Sequence, residues 1–116
     1  MGDTDITLSE LSQFYGTEGY HRISPMFKTM VTDGVIYIME NGYAWFVTDM
    51  LVIIEHKLKG EEFLSVKLSI SGKTADATID DGNGKVLHTQ HYGLTDAQVS
   101  PAMYWENGVL MLVGER

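Results

Sequence analysis

The residues from Tyr43 to about Leu58 constrain the fold of this chain more than any other segment. Apolar residues recur there at helical spacing and continue around most of the circumference, so that only a narrow polar stripe remains, with Asp49 and His56 on it. A helix this apolar needs cover on more than one side. The pattern therefore predicts a central helix packed between a sheet and either another helix or a second subunit.

The second half of the chain has the alternation that is typical of antiparallel strands. Leu64, Val66, Leu68 and Ile70 alternate with polar residues, which predicts a strand with one buried face. Asn107-Gly108 is a strong signal for a two-residue hairpin turn. The predicted strands cover residues 63–70, 74–79, 85–92, 103–106 and 109–113.

The first half is predicted to be mainly helical. Thr7-Leu8-Ser9-Glu10 fits a capping box, and Gly16 is placed to end a helix of about two turns. Residues 20–23 alternate like a short strand, and Thr32-Asp33-Gly34 is placed as a turn or N-cap before residues 35–39, which we interpret as helix. The expected fold is one α+β domain over residues 1–116. In it, an antiparallel sheet of about five strands packs against a long central helix and a short N-terminal helix.

Composition excludes several classes of function. The 116 residues contain no Cys, which rules out disulfides, thiol nucleophiles and cysteine-ligated metals. Sixteen Asp and Glu against eight Lys and Arg give a formal net charge of −8, which disfavours direct binding to nucleic acid. No phosphate-binding glycine motif occurs, so no cofactor is expected, and an enzyme is less expected than a binding protein.

The sequence also indicates a location. The N-terminus has neither a positive region nor an apolar core of the kind that secretory signals carry. The longest apolar run, Met50 to Ile54, is five residues long, far short of the roughly 20 that span a bilayer. We therefore expect a cytoplasmic protein that makes no membrane contact.

Two patterns superficially suggest metal sites. His88 and His91 are three residues apart on a predicted strand, which directs their rings to opposite faces, so we interpret them as two exposed histidines. Asp80-Asp81-Gly82-Asn83-Gly84 resembles a calcium loop in composition. Its acids are adjacent where calcium loops alternate them, so a hairpin turn is the favoured interpretation.

Residues 14–22 combine glycines, aromatic residues, an acid and a His-Arg pair. One interpretation is a small anion-binding or partner-binding surface in which Glu18 orients Arg22 or His21. The other is a glycine-flanked turn with a local Glu18–Arg22 salt bridge, and we favour it. For a ligand pocket, the candidate residues from this region and the following helices are Glu18, Tyr20, His21, Arg22, Asp33, Trp45 and Asp49.

Four blocks, in order along the chain, carry a resemblance to a known family: Phe14-x-Gly16-Thr17-Glu18-Gly19-Tyr20-His21-Arg22, Thr32-Asp33-Gly34-Val35, Glu40-Asn41-Gly42-Tyr43-Ala44-Trp45-Phe46-x-x-Asp49 and Asn107-Gly108-Val109-Leu110-Met111-Leu112. Over about residues 10–113 the chain resembles small proteins of unknown function encoded mainly in bacteriophages, plasmids and other bacterial mobile elements. Two features depart from the family pattern: the ending Val113-Gly114-Glu115-Arg116, and a short polar segment from His56 to Glu62. The resemblance implies a phage-like accessory protein and brings no catalytic residues with it.

That context favours a protein that binds and blocks a host protein or complex, such as an anti-CRISPR inhibitor in the bacterial cytoplasm. Its carboxylates would occupy a basic groove where phosphates normally lie. The alternative is that the net charge of −8 only keeps a small domain soluble. The candidate partner-binding residues are Glu61, Glu62, Asp76, Asp80 and Asp81.

Two alternatives remain open. The first is a small-molecule-binding or enzymatic domain that uses the Glu18–Arg22 segment, with Tyr20, His21, Arg22 and Trp45 in one pocket. The second is a self-associating structural protein or homodimer, because the Tyr43–Leu58 helix carries surplus apolar surface.

Overall fold

The computed structural model describes residues 19–95, 97 and 99–116, and these form a helical segment and a seven-stranded mixed sheet. The strand order is β1-β2-β7-β6-β3-β4-β5. Adjacent strands are antiparallel except β2 and β7, which are parallel. The strands are β1 (Tyr20–His21), β2 (Met30–Thr32), β3 (Phe63–Ser71), β4 (Thr74–Asp80), β5 (Val86–Tyr92), β6 (Ala102–Glu106) and β7 (Val109–Leu112).

The α+β class is confirmed, whereas the expected antiparallel sheet of about five strands is wrong. Of the two additional strands, β1 lies within residues 20–23, whose alternation predicted a short strand. β2 has three residues, which is too short for an alternating pattern to be recognised. After β2 the chain continues as a helix and then forms the other strands. The last of these, β7, lies beside β2 and runs parallel to it.

The central helix is confirmed and is longer than expected. Helical structure runs for 25 residues, as α1 (Asp33–Ile38), a π-helical turn (Met39–Tyr43) and α2 (Ala44–Lys57). The interpretation of residues 35–39 as helix is also confirmed, and Thr32 is the N-cap whose hydroxyl accepts from the Val35 amide. The predicted helix from Thr7 to Gly16 lies outside the described residues.

A kink separates α1 from α2. Gly42 has a φ of 103°, a conformation that costs residues with a side chain roughly 1–2 kcal/mol. The side-chain amide of Asn41 donates to the carbonyl of Tyr37, 2.8 Å away, at the end of the first helix. The Asn-Gly pair therefore changes the direction of the helix without ending it.

The apolar core lies between α2 and one face of the sheet. Six apolar residues of α2 are buried in the same cluster as the alternating residues of β3 and β4, as the sequence pattern predicted. The small side chains of Ala75 and Ala77 on β4 are buried in this cluster. A second layer over α2 or a second subunit stays a prediction. The six are Phe46, Val47, Met50, Leu51, Ile53 and Ile54.

The C-terminal Glu115 caps the N-terminus of α1 from the far end of the sequence. Its Oε1 accepts hydrogen bonds from the Thr32 hydroxyl at 2.6 Å and the Leu112 amide at 2.9 Å, and its Oε2 accepts from the Gly34 amide at 3.0 Å. A carboxylate is favourable here because the helix N-terminus carries partial positive charge. Gly34 leaves the space, since a Cβ there would lie 2.6 Å from Oε1.

We expect Glu115→Ala to lower the free energy of unfolding by about 2–4 kcal/mol, because three buried donors lose a charged acceptor. Urea denaturation measures this change. The matched control is Glu62→Ala, at an exposed residue of the loop before β3, with an expected change within about 0.5 kcal/mol. Equal stabilities for the two variants would contradict the assignment of Glu115 as a cap.

Candidate functional site

A surface cavity of about 740 Å³ opens between the start of α2, the β3–β4 turn and the chain that follows β5. Its lining is mainly apolar, and Leu94 on its rim is 81 % exposed. Concave, largely apolar surfaces of this size are where proteins most often hold ligands or partner side chains. The lining residues are Trp45, Gly72, Lys73, Tyr92, Leu94, Thr95 and Ala97.

Two aromatic side chains form one side of this cavity, which we call the Trp45–Tyr92 cavity. Their ring centres are 4.8 Å apart and their planes meet at 74°, a favourable edge-to-face arrangement. The helix kink holds Trp45 in place, because the indole Nε1 donates to the Gly42 carbonyl at 2.7 Å.

The phenol oxygen of Tyr92 is also engaged within the protein. It donates to Oδ2 of Asp49 on α2 at 2.9 Å. Burial, followed by the hydrogen bond and charge of Asp49, raises the pKa of Tyr92 well above its ordinary value. The phenol therefore stays protonated at physiological pH and joins the sheet to the helix.

Three contacts position the β3–β4 turn and the chain after β5, which supply the other lining residues. The amide of Thr95 donates to the Lys73 carbonyl at 2.7 Å, which fastens the chain after β5 to the β3–β4 turn. Further along, the buried hydroxyl of Tyr43 donates to the Val99 carbonyl and accepts from the Val99 amide. The wall between these anchors includes the buried Ala97.

The residues predicted for a ligand pocket fall in two separate places. Trp45 lines the cavity, and Asp49 accepts a hydrogen bond from Tyr92, which also lines it. His21 instead pairs with Asp33, with 2.6 Å between Nε2 and Oδ1, and neither residue lines that cavity.

The other candidates from the same region are likewise remote from the cavity lining. Arg22 donates to the Phe27 carbonyl at 2.8 Å, and Tyr20 lies exposed on β1. Glu18, and with it the predicted Glu18–Arg22 salt bridge, lies outside the described residues.

The five acidic residues predicted to bind a partner are divided between a loop, a strand and a turn. Glu61 and Glu62 precede β3, whereas Asp76 on β4 pairs with His91, 2.8 Å away. Eleven of the sixteen acidic residues and all eight Lys and Arg lie in the described residues, whose formal net charge is therefore −3.

Asp80 and Asp81 have structural tasks in the β4–β5 turn. Oδ1 of Asp80 accepts from the Gly82 amide, and Oδ1 of Asp81 accepts from the amides of Asn83 and Lys85. These backbone hydrogen bonds, the one from Asn83 foremost, lower the pKa of Asp81. The hairpin interpretation of residues 80–84 is confirmed, since β4 ends at Asp80 and β5 begins at Val86.

The two histidines of β5 do face opposite sides of the sheet, as predicted. His91 pairs with Asp76 on the open face, while His88 lies opposite the buried Ile79. The interpretation of both as exposed is wrong, because His88 is half-buried. Its Nε2 is enclosed and has no hydrogen-bond partner among the described residues. Among the described residues, no three His, Asp or Glu side chains converge as metal ligands would.

We expect His88→Leu to raise the free energy of unfolding by about 1 kcal/mol, because it removes an unsatisfied buried nitrogen. Thermal unfolding should show an increase of about 4 °C in Tm. His91→Leu, which removes an exposed ion pair on the same strand, is the control, with an expected effect within about 0.5 kcal/mol. A loss of stability in His88→Leu would show that the imidazole is satisfied in solution.

A second cavity, of about 520 Å³, lies at the other end of α2, and Glu55 organises it. Its two carboxylate oxygens accept hydrogen bonds from the backbone amides of Lys28 at 3.0 Å and Thr29 at 2.7 Å. Burial alone would raise the pKa of Glu55, but the hydrogen bonds from the Thr29 hydroxyl and these two amides lower it overall. The Thr29 hydroxyl in turn accepts from the indole of Trp105 at 3.1 Å, which links helix, β2 and β6.

A carboxyl with a lowered pKa stabilises the fold above its unfolded-state pKa, and this stability is lost as pH falls through the folded-state pKa. We therefore expect Glu55→Gln to lower Tm at neutral pH, and the difference from wild type to shrink between about pH 5 and about pH 2. Glu62→Gln, at an exposed position, should show no such convergence. A difference in Tm between Glu55→Gln and wild type that stays constant across this pH range would refute the expectation.

The fold and the cavity together define a small α+β domain with a largely apolar cavity on its surface. Residues 5–116 match the profile of a family of unknown function, DUF6876, and the chain belongs to that family. No curated protein and no solved structure matches the chain. No helix in the described part of the chain has the length and apolar character needed to cross a membrane.

Sequence reasoning found Trp45 and Asp49 but missed the residues that meet them from the sheet. Tyr92 was placed only as the end of a strand, and Lys73 only in a turn. The alternation of β5 could have indicated Tyr92, because its side chain lies on the same side of the sheet as those of His88 and Gln90. The partners of these residues on β4 are buried.

Proposed function

We propose that this protein acts by binding another protein, and that an apolar side chain of the partner enters the Trp45–Tyr92 cavity. The observation that carries the proposal is an open apolar concavity with two aromatic rings held rigidly at its side. Aromatic residues fixed in advance lose little conformational entropy on binding, which is why they are frequent at the centres of interfaces.

The direction of the polar groups favours binding over catalysis. The indole nitrogen and the phenol oxygen both point to partners inside the protein, Gly42 and Asp49. The rings thus present carbon surface to the cavity, and the raised pKa of Tyr92 makes its phenol a poor general acid at neutral pH.

For the biological partner we propose a host protein or complex, with counter-defence inhibition of the anti-CRISPR type as the setting. The resemblance to phage and mobile-element proteins supports this part of the proposal. Among the described acidic residues, Asp76 pairs with His91, and Asp80 and Asp81 accept hydrogen bonds from turn amides. We therefore assign recognition to the apolar cavity rather than to these acidic residues.

To test the proposal, wild-type protein is immobilised and used to select short peptides from a random display library. The selected peptides should contain a shared aromatic or branched aliphatic residue. We expect Leu94→Asp to weaken their binding by at least about tenfold, because it places a charge on the rim of the cavity. Isothermal titration calorimetry measures the affinities.

Met26→Asp is the matched control, because Met26 is as exposed as Leu94, at 82 %, but lines the cavity at Glu55. Its affinity for the peptides should equal that of wild type. Equal losses in both variants, or no selected peptide at all, would overturn the proposal. Small molecules that shift the NMR signals of Trp45 and Tyr92 where no peptide does would support a ligand-binding domain instead.

A further inference from the structure

We propose that the partner contributes an extended segment that adds to the sheet as an eighth strand beside β5. The backbone of β5 would supply hydrogen bonds, and an alternate side chain of the segment would enter the Trp45–Tyr92 cavity. The inference rests on the proposed function for the cavity itself, and it adds the conformation of the partner and the second contact surface.

The outer edge of β5 is unpaired among the described residues. β5 is the last strand in the sheet order and its backbone pairs only with β4. In an antiparallel pair, roughly half of the N–H and C=O groups of an edge strand point away from its neighbour. A strand of seven residues thus presents a regular row of donors and acceptors.

β5 lacks most of the features that normally protect a sheet edge. Edge strands are usually short, or carry Lys or Pro, or bend at bulges. From Val86 to Tyr92 there is no Pro and no Lys, Arg, Asp or Glu, and the one register shift lies at its start, opposite Ile79 and Asp80. The opposite edge contrasts with it, because β1 has only two residues.

The end of this edge leads into the cavity. Residues His88, Gln90 and Tyr92 lie opposite Ile79, Ala77 and Ala75, whose buried side chains face α2. Tyr92 is therefore the last residue of β5 on the helix side of the sheet, and it lines the cavity. A strand added beside β5 would direct every second side chain to the same side, and the one level with Tyr92 would reach the cavity.

Charge indicates the composition of the segment. Lys73 is the charged residue of the cavity lining, and its ammonium group has no ion-pair partner in the described part of the chain. Because β5 has no Lys, Arg, Asp or Glu, its edge favours no charged residue elsewhere in the segment. The fitting occupant is an extended peptide with one aromatic or aliphatic residue and, next to it, a single carboxylate that reaches Lys73, with no other charged residue.

The test uses synthetic versions of the peptides selected on the wild-type protein, with single backbone amides methylated in turn. A strand-added peptide donates every second amide to β5, so methylation should weaken binding by about tenfold or more at alternate positions and little at the positions between. Peptide binding should also slow hydrogen exchange of alternate β5 amides. Lys73→Ala should reduce the affinity severalfold for peptides with the carboxylate and leave neutral analogues unchanged.

The outcomes separate this inference from the proposed function. Peptides that lose affinity with Leu94→Asp but tolerate methylation at every amide would leave the cavity as a binding site and overturn strand addition. Sedimentation showing a dimer that Thr89→Lys dissociates, with Ser69→Lys on the open face of β3 as control, would overturn it in favour of a second copy of this chain. Selection of no peptide would overturn both.

Discussion

The burial of α2 against one face of the sheet is the interaction on which the rest of the structure depends. Each fully buried large apolar side chain contributes about 1.5–3 kcal/mol, and α2 supplies six buried apolar residues. From the same helix, Asp49 accepts a hydrogen bond from the Tyr92 hydroxyl on β5 at 2.9 Å. The position of the Trp45–Tyr92 cavity therefore depends on how this helix packs on the sheet.

Sequence reasoning identified the elements with strong periodic patterns. The central helix and strands β3 to β7 were predicted near their observed positions, and Asn107 and Gly108 have the positive φ angles that their turn requires. β2 was too short to show a period, and the parallel pairing of β2 with β7 joins Met30 to Val109. A local pattern cannot specify a neighbour so distant along the chain.

The candidate site could be predicted only in part, for a related reason. Asp49 stood out because an acid is unusual on a helix that is otherwise apolar, whereas Trp45 was predicted only as part of a pocket with Tyr20, His21 and Arg22. Their partners, Tyr92 and Lys73, lie on a strand and in a turn, where residues of these types are common. The acidic residues stood out by charge, yet in the structure Asp80 and Asp81 bind turn amides and Asp76 binds His91. Hydrogen bonds within the protein therefore explain the presence of these three residues without a partner.

The position of β7 between β2 and β6, with Glu115 over the N-terminus of α1, has a consequence for biosynthesis. While the chain is being made, β2 and α1 leave the ribosome long before the strand and the carboxylate that complete them. The sheet can form from β3 to β5 early, but it closes onto the first half only when residue 115 is free. The pairing of β2 and the capping of α1 thus wait for residues 109–115, which join the two halves of the described fold.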